Sequence, residues 1–345
     1  MTEGWPDGFP RPAAARMARR VGLFKAASVA APMATKVGFV GAGTIGANSI
    51  FATLALTDRI DEVAVVDIAE AAAVGRAMDL NTASVAFGRR TKVSGSTDYA
   101  TLKGSQVVVV SAGVPRKPGM TRADLLGINI KILKGICAEV KRHAPDAVFL
   151  LVTNPVDILL YVCWKELGFP RERCIGMTSL HDSARFTDIV RDATGDREVR
   201  ATILGEHGET MFVAPTLSSP KLKGGDWEAW EKKTRGRAME IIERVGATAY
   251  APGACTGRMV RAIIEDTHEE IPTGVILDGE YGHRDVATGL PAVLGKGGLV
   301  RVVQYDLGAT ERQKLEVTVK AVKEKIAEGL AILAAPPAPA PAPPA

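Results

Sequence analysis

Lys36-Val37-Gly38-Phe39-Val40-Gly41-Ala42-Gly43-Thr44-Ile45-Gly46 is the stretch on which the fold turns. Its first five residues form an apolar run of strand length, the next six a glycine-rich turn, and Ala47 to Leu56 carries a helical pattern. A bare G-x-G-x-x-G is weak evidence, because glycine turns are common; strand, turn and helix in that order give it meaning. Gly41, Gly43 and Gly46, with Ala42, Thr44 and Ile45 between them, permit a tight turn and close approach of backbone to a pyrophosphate at a helix N-terminus. A second apolar run, Val63-Ala64-Val65-Val66, ends at Asp67, 21 residues after Gly46 (67 − 46). An acid there accepts hydrogen bonds from ribose hydroxyls and repels a 2′-phosphate, which predicts NAD rather than NADP. The plainer reading of Asp67 is a turn residue at a strand end.

Two further runs, Val107-Val108-Val109-Val110 and Val148-Phe149-Leu150-Leu151-Val152, are near-continuously apolar, as strands covered on both faces of a parallel sheet are. Leu125 to Val140 reads as a helix stopped by His143-Ala144-Pro145. The predicted fold class is α/β: a doubly wound, parallel-sheet Rossmann NAD domain over residues 34–177, then an α+β substrate domain over 178–332. Residues 1–33 carry Pro6, Pro10, Pro12, Arg11, Arg16, Arg19 and Arg20 without an apolar period. They read as an extension or a start assigned too early; an Arg-rich targeting segment is the alternative, opposed by Glu3, Asp7 and scarce Ser. Residues 333–345 read as an extended Pro-Ala tail.

Ligand in such sheets lies beyond the carboxyl ends of the strands. Ser111 to Arg122 there is a Gly/Pro loop with arginines at 116 and 122, suited to a lid over an anion, although a solvated basic loop would look the same. Thr121 and Asp124 have capping-box spacing. In Val152-Thr153-Asn154-Pro155, Asn154 can hydrogen-bond a substrate oxygen or merely open an Asn-Pro turn. Farther on, Asp182 and Arg185 are three apart in a helical stretch, and His207 sits in the Gly-flanked turn Leu204-Gly205-Glu206-His207-Gly208. A histidine moves protons near neutral pH, a carboxylate fixes its tautomer, and an arginine fork grips a carboxylate. Taken alone, Asp-x-x-Arg is usually a surface ion pair; its company makes it informative. Trp227 and Trp230, three apart, read as packing residues.

At 345 residues, 46% hydrophobic and 24% charged, the chain has ample core and lies outside the disordered regime. A net charge of +4 is too mild to argue for nucleic acid and fits small anionic substrates. Cys137, Cys163, Cys174 and Cys255 lack C-x-x-C spacing, so neither metal nor a redox pair is expected, and reduced, buried thiols are. No apolar run reaches membrane-spanning length.

As a set and in order, these motifs resemble the lactate/malate dehydrogenase family over about residues 36–330, most nearly its lactate-dehydrogenase-like malate dehydrogenases. Asp278-Gly279-Glu280-Tyr281-Gly282 and Leu294-Gly295-Lys296-Gly297-Gly298 resemble the family's late sheet region. The resemblance implies reversible hydride transfer between (S)-malate and oxaloacetate. His207 would be the proton acceptor and Asp182 its orienting partner; Arg185 would bind the carboxylate beside the reacting carbon. Arg122 would polarise the carbonyl, Asn154 contact the substrate oxygen, and Asn129 touch cofactor and substrate. Val152, Thr153 and Asn154 would bind the cofactor. Arg116, where the family's lactate enzymes have a neutral residue, would take a second carboxylate. The resemblance implies a homodimer or homotetramer in the cytoplasm, or in the mitochondrial matrix if residues 1–32 are a transit peptide. An L-lactate or other 2-hydroxy-acid dehydrogenase, a non-catalytic NAD-binding protein and a structural oligomer are the rivals. His181 departs from the family's Leu, as a packing neighbour or as a second titrating group beside Asp182 and His207.

Overall fold

The computed structural model describes residues 34–114, 121–219, 222 and 225–334. The expectations for residues 1–33 and for Arg116 lie outside them. The first half alternates strand and helix: β1 (Lys36–Val40), α1 (Thr44–Leu56), β2 (Glu62–Val66), α2 (Glu70–Ala86), β3 (Lys92–Ser96), β4 (Val107–Val110), α3 (Arg122–His143), β5 (Val148–Leu151), α4 (Val156–Leu167) and β6 (Cys174–Gly176). All six strands are parallel in the order β3-β2-β1-β4-β5-β6, the doubly wound arrangement expected from the apolar runs. The four valines of β4 are fully buried, which is why that run shows no polar alternation.

The second half holds α5 (Ser179–Thr194), β7 (Ile203–Leu204), β8 (Phe212–Val213), α6 (Trp227–Val245), α7 (Tyr250–Ile264), β9 (Glu269–Asp278), β10 (Arg284–Gly295), β11 (Gly298–Val302) and α8 (Ala309–Ala334). It does not build a separate large sheet. Strand β9 joins β6 antiparallel at Gly176–Gly274, and β10 and β11 extend the same sheet to nine strands. The sequence placed the start of the Pro-Ala tail two residues too early. Leu333 and Ala334 close α8, because both are good helix formers; the rest of the expected tail lies outside the described residues.

Helix α7 lies against α1 at glycine contacts. A Cβ on Gly257 would stand 2.9 Å from the backbone of Ala52 and Thr53, and one on Gly253 2.8 Å from that of Asn48. The second half is thereby held directly to the helix that follows the glycine turn. Helix α5 buries Phe186 and Val190 in a smaller core with Val199, Ile203, Met211 and Val213. Trp227 stacks on Phe186, ring planes 3° apart and centroids 6.2 Å apart, so the tryptophans serve packing as expected. The four cysteines are free and buried.

Two glycines in helices should respond oppositely to alanine. Gly236 in α6 has open space where a Cβ would sit, so Gly236→Ala should stabilise by up to about 1 kcal/mol through helix propensity. Gly257→Ala forces α7 off α1 and should destabilise by about 1–3 kcal/mol. Chemical denaturation reads both; shifts of the same sign would contradict this packing.

Candidate active site

The glycine turn is shaped for an anion. A Cβ on Gly46 would lie 1.9 Å from the carbonyl oxygen of Gly41, so no other residue fits there. Around Gly43 nothing lies within 4 Å of a Cβ position, and no side chain caps the N-terminus of α1. The orphan N–H groups of that first turn therefore face open space, where helix dipole and donors both favour a phosphate. Thr44 opens the helix, Ile45 is half-buried beside it, and Ala42 is buried. Asp67 sits at the end of β2; its Oδ2 accepts from Ala42 N–H at 2.7 Å and its Oδ1 from Ala69 N–H at 2.9 Å. Each oxygen keeps a second acceptor site for a ribose hydroxyl. These residues fit a dinucleotide.

Beyond β4 and β5 the loops are tied together. Thr153 donates to the carbonyl of Ala112 at 2.8 Å, and Val152 before it is buried. Asn129, buried on α3, accepts from Val114 N–H at 2.9 Å and donates to the carbonyl of Asn154 at 2.9 Å. Its amide joins the stem of the Arg-bearing loop to the Asn154 turn. Arg122 is the first residue of α3, which starts three residues before the expected Leu125 because Thr121 and Asp124 form a capping box. Asn154 lines a cleft of about 390 Å³ with Leu126, Ile158, His207, Gly208 and Lys325.

His207 stands in the loop between β7 and β8. Its Nδ1–H donates to Asp182 Oδ2 at 2.6 Å, a charge-assisted distance. Asp182 is fully buried in the first turn of α5, and Arg185 Nη1 lies 3.6 Å from its other oxygen. Burial would raise Asp182; the adjoining His207 outweighs it and holds the carboxyl below its ordinary value. Burial would likewise lower His207, but the charge and hydrogen bond of Asp182 raise it above an ordinary imidazole. Burial lowers Arg185 as well, against the pull of Asp182; a guanidinium starts so high that it stays cationic.

Three anchors of this loop were not legible in the sequence. Asp157, buried at the start of α4, accepts from His207 backbone N–H at 2.7 Å, fifty residues away. Glu206 N–H donates to Thr318 Oγ1 of α8 at 2.9 Å, while the Glu206 carboxylate pairs with Lys325 and accepts from Thr210. Gly205 and Gly289 of β10 exchange backbone hydrogen bonds at 2.9 and 3.0 Å. Spacing could not reveal contacts that tertiary folding alone creates.

Burial, partly offset by the His207 N–H bond and reinforced by Glu206, raises Asp157 to about 7. A carboxyl raised in the folded state binds protons that the unfolded chain has released, so its contribution to stability falls as pH rises from about 4 to about 7. Asp157→Asn keeps the acceptor for His207 N–H and removes that titration. The unfolding free energy of the variant relative to the parent should therefore rise across this interval; a difference independent of pH would contradict the assignment.

Comparison with known proteins agrees with this geometry. Residues 35–176 match the model of the lactate/malate dehydrogenase NAD binding domain and residues 178–333 that of the family's alpha/beta C-terminal domain. Malate dehydrogenase of Archaeoglobus fulgidus is 46% identical over 294 residues, 85% of this chain and 99% of the relative. Its structure in complex with NADH matches with a TM-score of 0.81 over the same shares. A minor L-lactate dehydrogenase from Enterococcus mundtii matches at 30% identity and a TM-score of 0.79, covering 85% of this chain and 98% of that one. With both halves matched and the glycine turn, Asp67 and the Asp182–His207 pair in their expected elements, the chain belongs to the lactate/malate dehydrogenase family.

Proposed function

We propose that the protein is an NAD-dependent malate dehydrogenase that interconverts (S)-malate and oxaloacetate. The observation that carries the reading is the buried Asp182–His207 hydrogen bond of 2.6 Å beside Arg185, with His207 on the cleft wall. The malate dehydrogenase relatives, at 46% and 37% identity over most of the chain, support it over lactate.

Gly41 to Gly46 and Asp67 would hold NAD, which when bound supplies the acceptor and donor of hydride. Arg185 grips the carboxylate beside the reacting carbon with its fork. With Nδ1–H given to Asp182, neutral His207 keeps the lone pair of Nε2 for the malate hydroxyl proton. The resulting imidazolium faces a carboxylate already in place, so no reorganisation is needed as charge develops. As the family resemblance implies, Asn154 would donate to the substrate oxygen and Arg122 would polarise it. Arg116 pairs the second carboxylate, which would cost several kcal/mol to bury unpaired.

The direction of the His207 shift sets the pH dependence. Oxaloacetate reduction needs His207 protonated, so it persists to higher pH than an ordinary imidazole would allow and declines as pH rises through the raised value. Malate oxidation rises over the same interval. We also infer a homo-oligomer. Phe51 on α1 with Met78 and Val85 on α2 are exposed apolar side chains that a second copy would cover. Light scattering should give a multiple of 36.5 kDa; a particle of that single mass would contradict it.

Initial rates of NADH oxidation test the function. Oxaloacetate should be preferred to pyruvate, and NADH to NADPH. Arg116→Gln should lower kcat/KM for oxaloacetate by about 10²-fold or more while leaving pyruvate little changed. Preference for pyruvate in the parent would replace the malate reading with the lactate one.

A further inference from the structure

His181 is the third residue of α5, 4% exposed, with its ring centroid 5.9 Å from that of His207. Its Nε2 lies 3.1 Å from Arg185 Nη2, one helical turn on. A guanidinium has only donors, so Nε2 must be the acceptor and the imidazole proton sits on Nδ1. Burial, then the charges of Arg185 and His207, push His181 down to about 3. It therefore does not titrate alongside His207.

The distances around Arg185 divide the work. Asp182 gives Oδ2 to His207 at 2.6 Å and leaves Oδ1 3.6 Å from Arg185 Nη1, too far for a hydrogen bond. The carboxylate thus neutralises the guanidinium without setting its rotation. The bond from Nη2 to His181 does set it. Arg185 reaches its neighbours at i−3 and i−4 on the same helix face, leaving the remaining donors of the fork for a ligand.

We propose that His181 is a positioning residue for substrate binding: by accepting from Arg185 Nη2 it fixes the plane in which Arg185 presents its free donors to the substrate carboxylate. This rests on the reading of Arg185 as the carboxylate-binding residue. Ligand atoms of His181, Asp182 and His207 also lie within 4.8 Å of one another. A divalent cation there would meet the Arg185 guanidinium already bonded to His181 Nε2, so the cluster is the seat of an arginine and not a metal site.

The test compares His181→Leu and His181→Met, which lack a nitrogen or oxygen acceptor, with His181→Gln, whose amide oxygen supplies one. KM and kcat for oxaloacetate are measured, with binding of hydroxymalonate to the NADH-loaded enzyme and of NADH alone. Leu and Met should each raise KM and weaken hydroxymalonate about 10–100-fold, the loss of one hydrogen bond from a charged donor. NADH affinity should stay unchanged, and Gln should restore most of the loss. Unchanged hydroxymalonate affinity in Leu and Met would overturn the proposal. So would parallel loss of NADH binding and thermal stability, or Gln no better than Leu. A parent enzyme that turns over no oxaloacetate would instead sink the malate reading itself, a result separate from any difference among the variants.

Discussion

A carboxylate with no exposure to solvent must have a partner, and the rest of this structure follows from how Asp182 is supplied with one. Left ionised and alone in the interior, it would cost more than a domain of this size can spare. The 2.6 Å bond to His207 and the guanidinium of Arg185 at 3.6 Å meet that demand. The same contact has a chemical consequence, since it makes the imidazolium form of His207 the easier one to reach. Structural need and the proposed proton transfer are met by one pair of atoms, and breaking the pair leaves a buried charge behind.

Holding that pair requires elements from across the chain. Asp182 is set by α5, while the backbone of His207 is fixed by Asp157 of α4 and that of its neighbour Glu206 by Thr318 of α8. The bridge of Gly205 to Gly289 ties the loop to the extended sheet. The glycine turn stands at the end of β1 in the same sheet, and the contact of α7 with α1 links its helix to the second half. A continuous nine-stranded sheet thus serves as the common frame for the glycine cradle and for the Asp182–His207 pair, which suits the proposed reaction, in which both must be held in register.

The sequence made the first half readable because its signals are local. Lys36 to Leu56 combines an apolar run, a glycine turn and a helix within about twenty residues, and β4 is four valines in succession. Strand β6, three residues long, and β7 and β8, two each, are too short to carry a period. Asp182 and Arg185 were legible as a helix pair, and His207 as a presented ring. His181 was equally local, four residues before Arg185, but its burial and acceptor role exist only once α5 packs. Asp157 and Lys325 could not be reached from spacing, because their partners lie 50 and 119 residues away. Arg116, to which the proposed function assigns substrate choice, lies outside the described residues.

The measurement that bears most directly on this account is a pH titration of the five histidines by nuclear magnetic resonance on selectively labelled protein, with His207 and His181 assigned by substitution. His207 should titrate above the ordinary imidazole value while His181 keeps a neutral ring, protonated at Nδ1 alone, throughout the range in which the protein stays folded. A His207 that titrates at or below the ordinary value, or a His181 that gains its second proton alongside it, would contradict the central claim that the buried Asp182 carboxylate commits its stabilisation to His207.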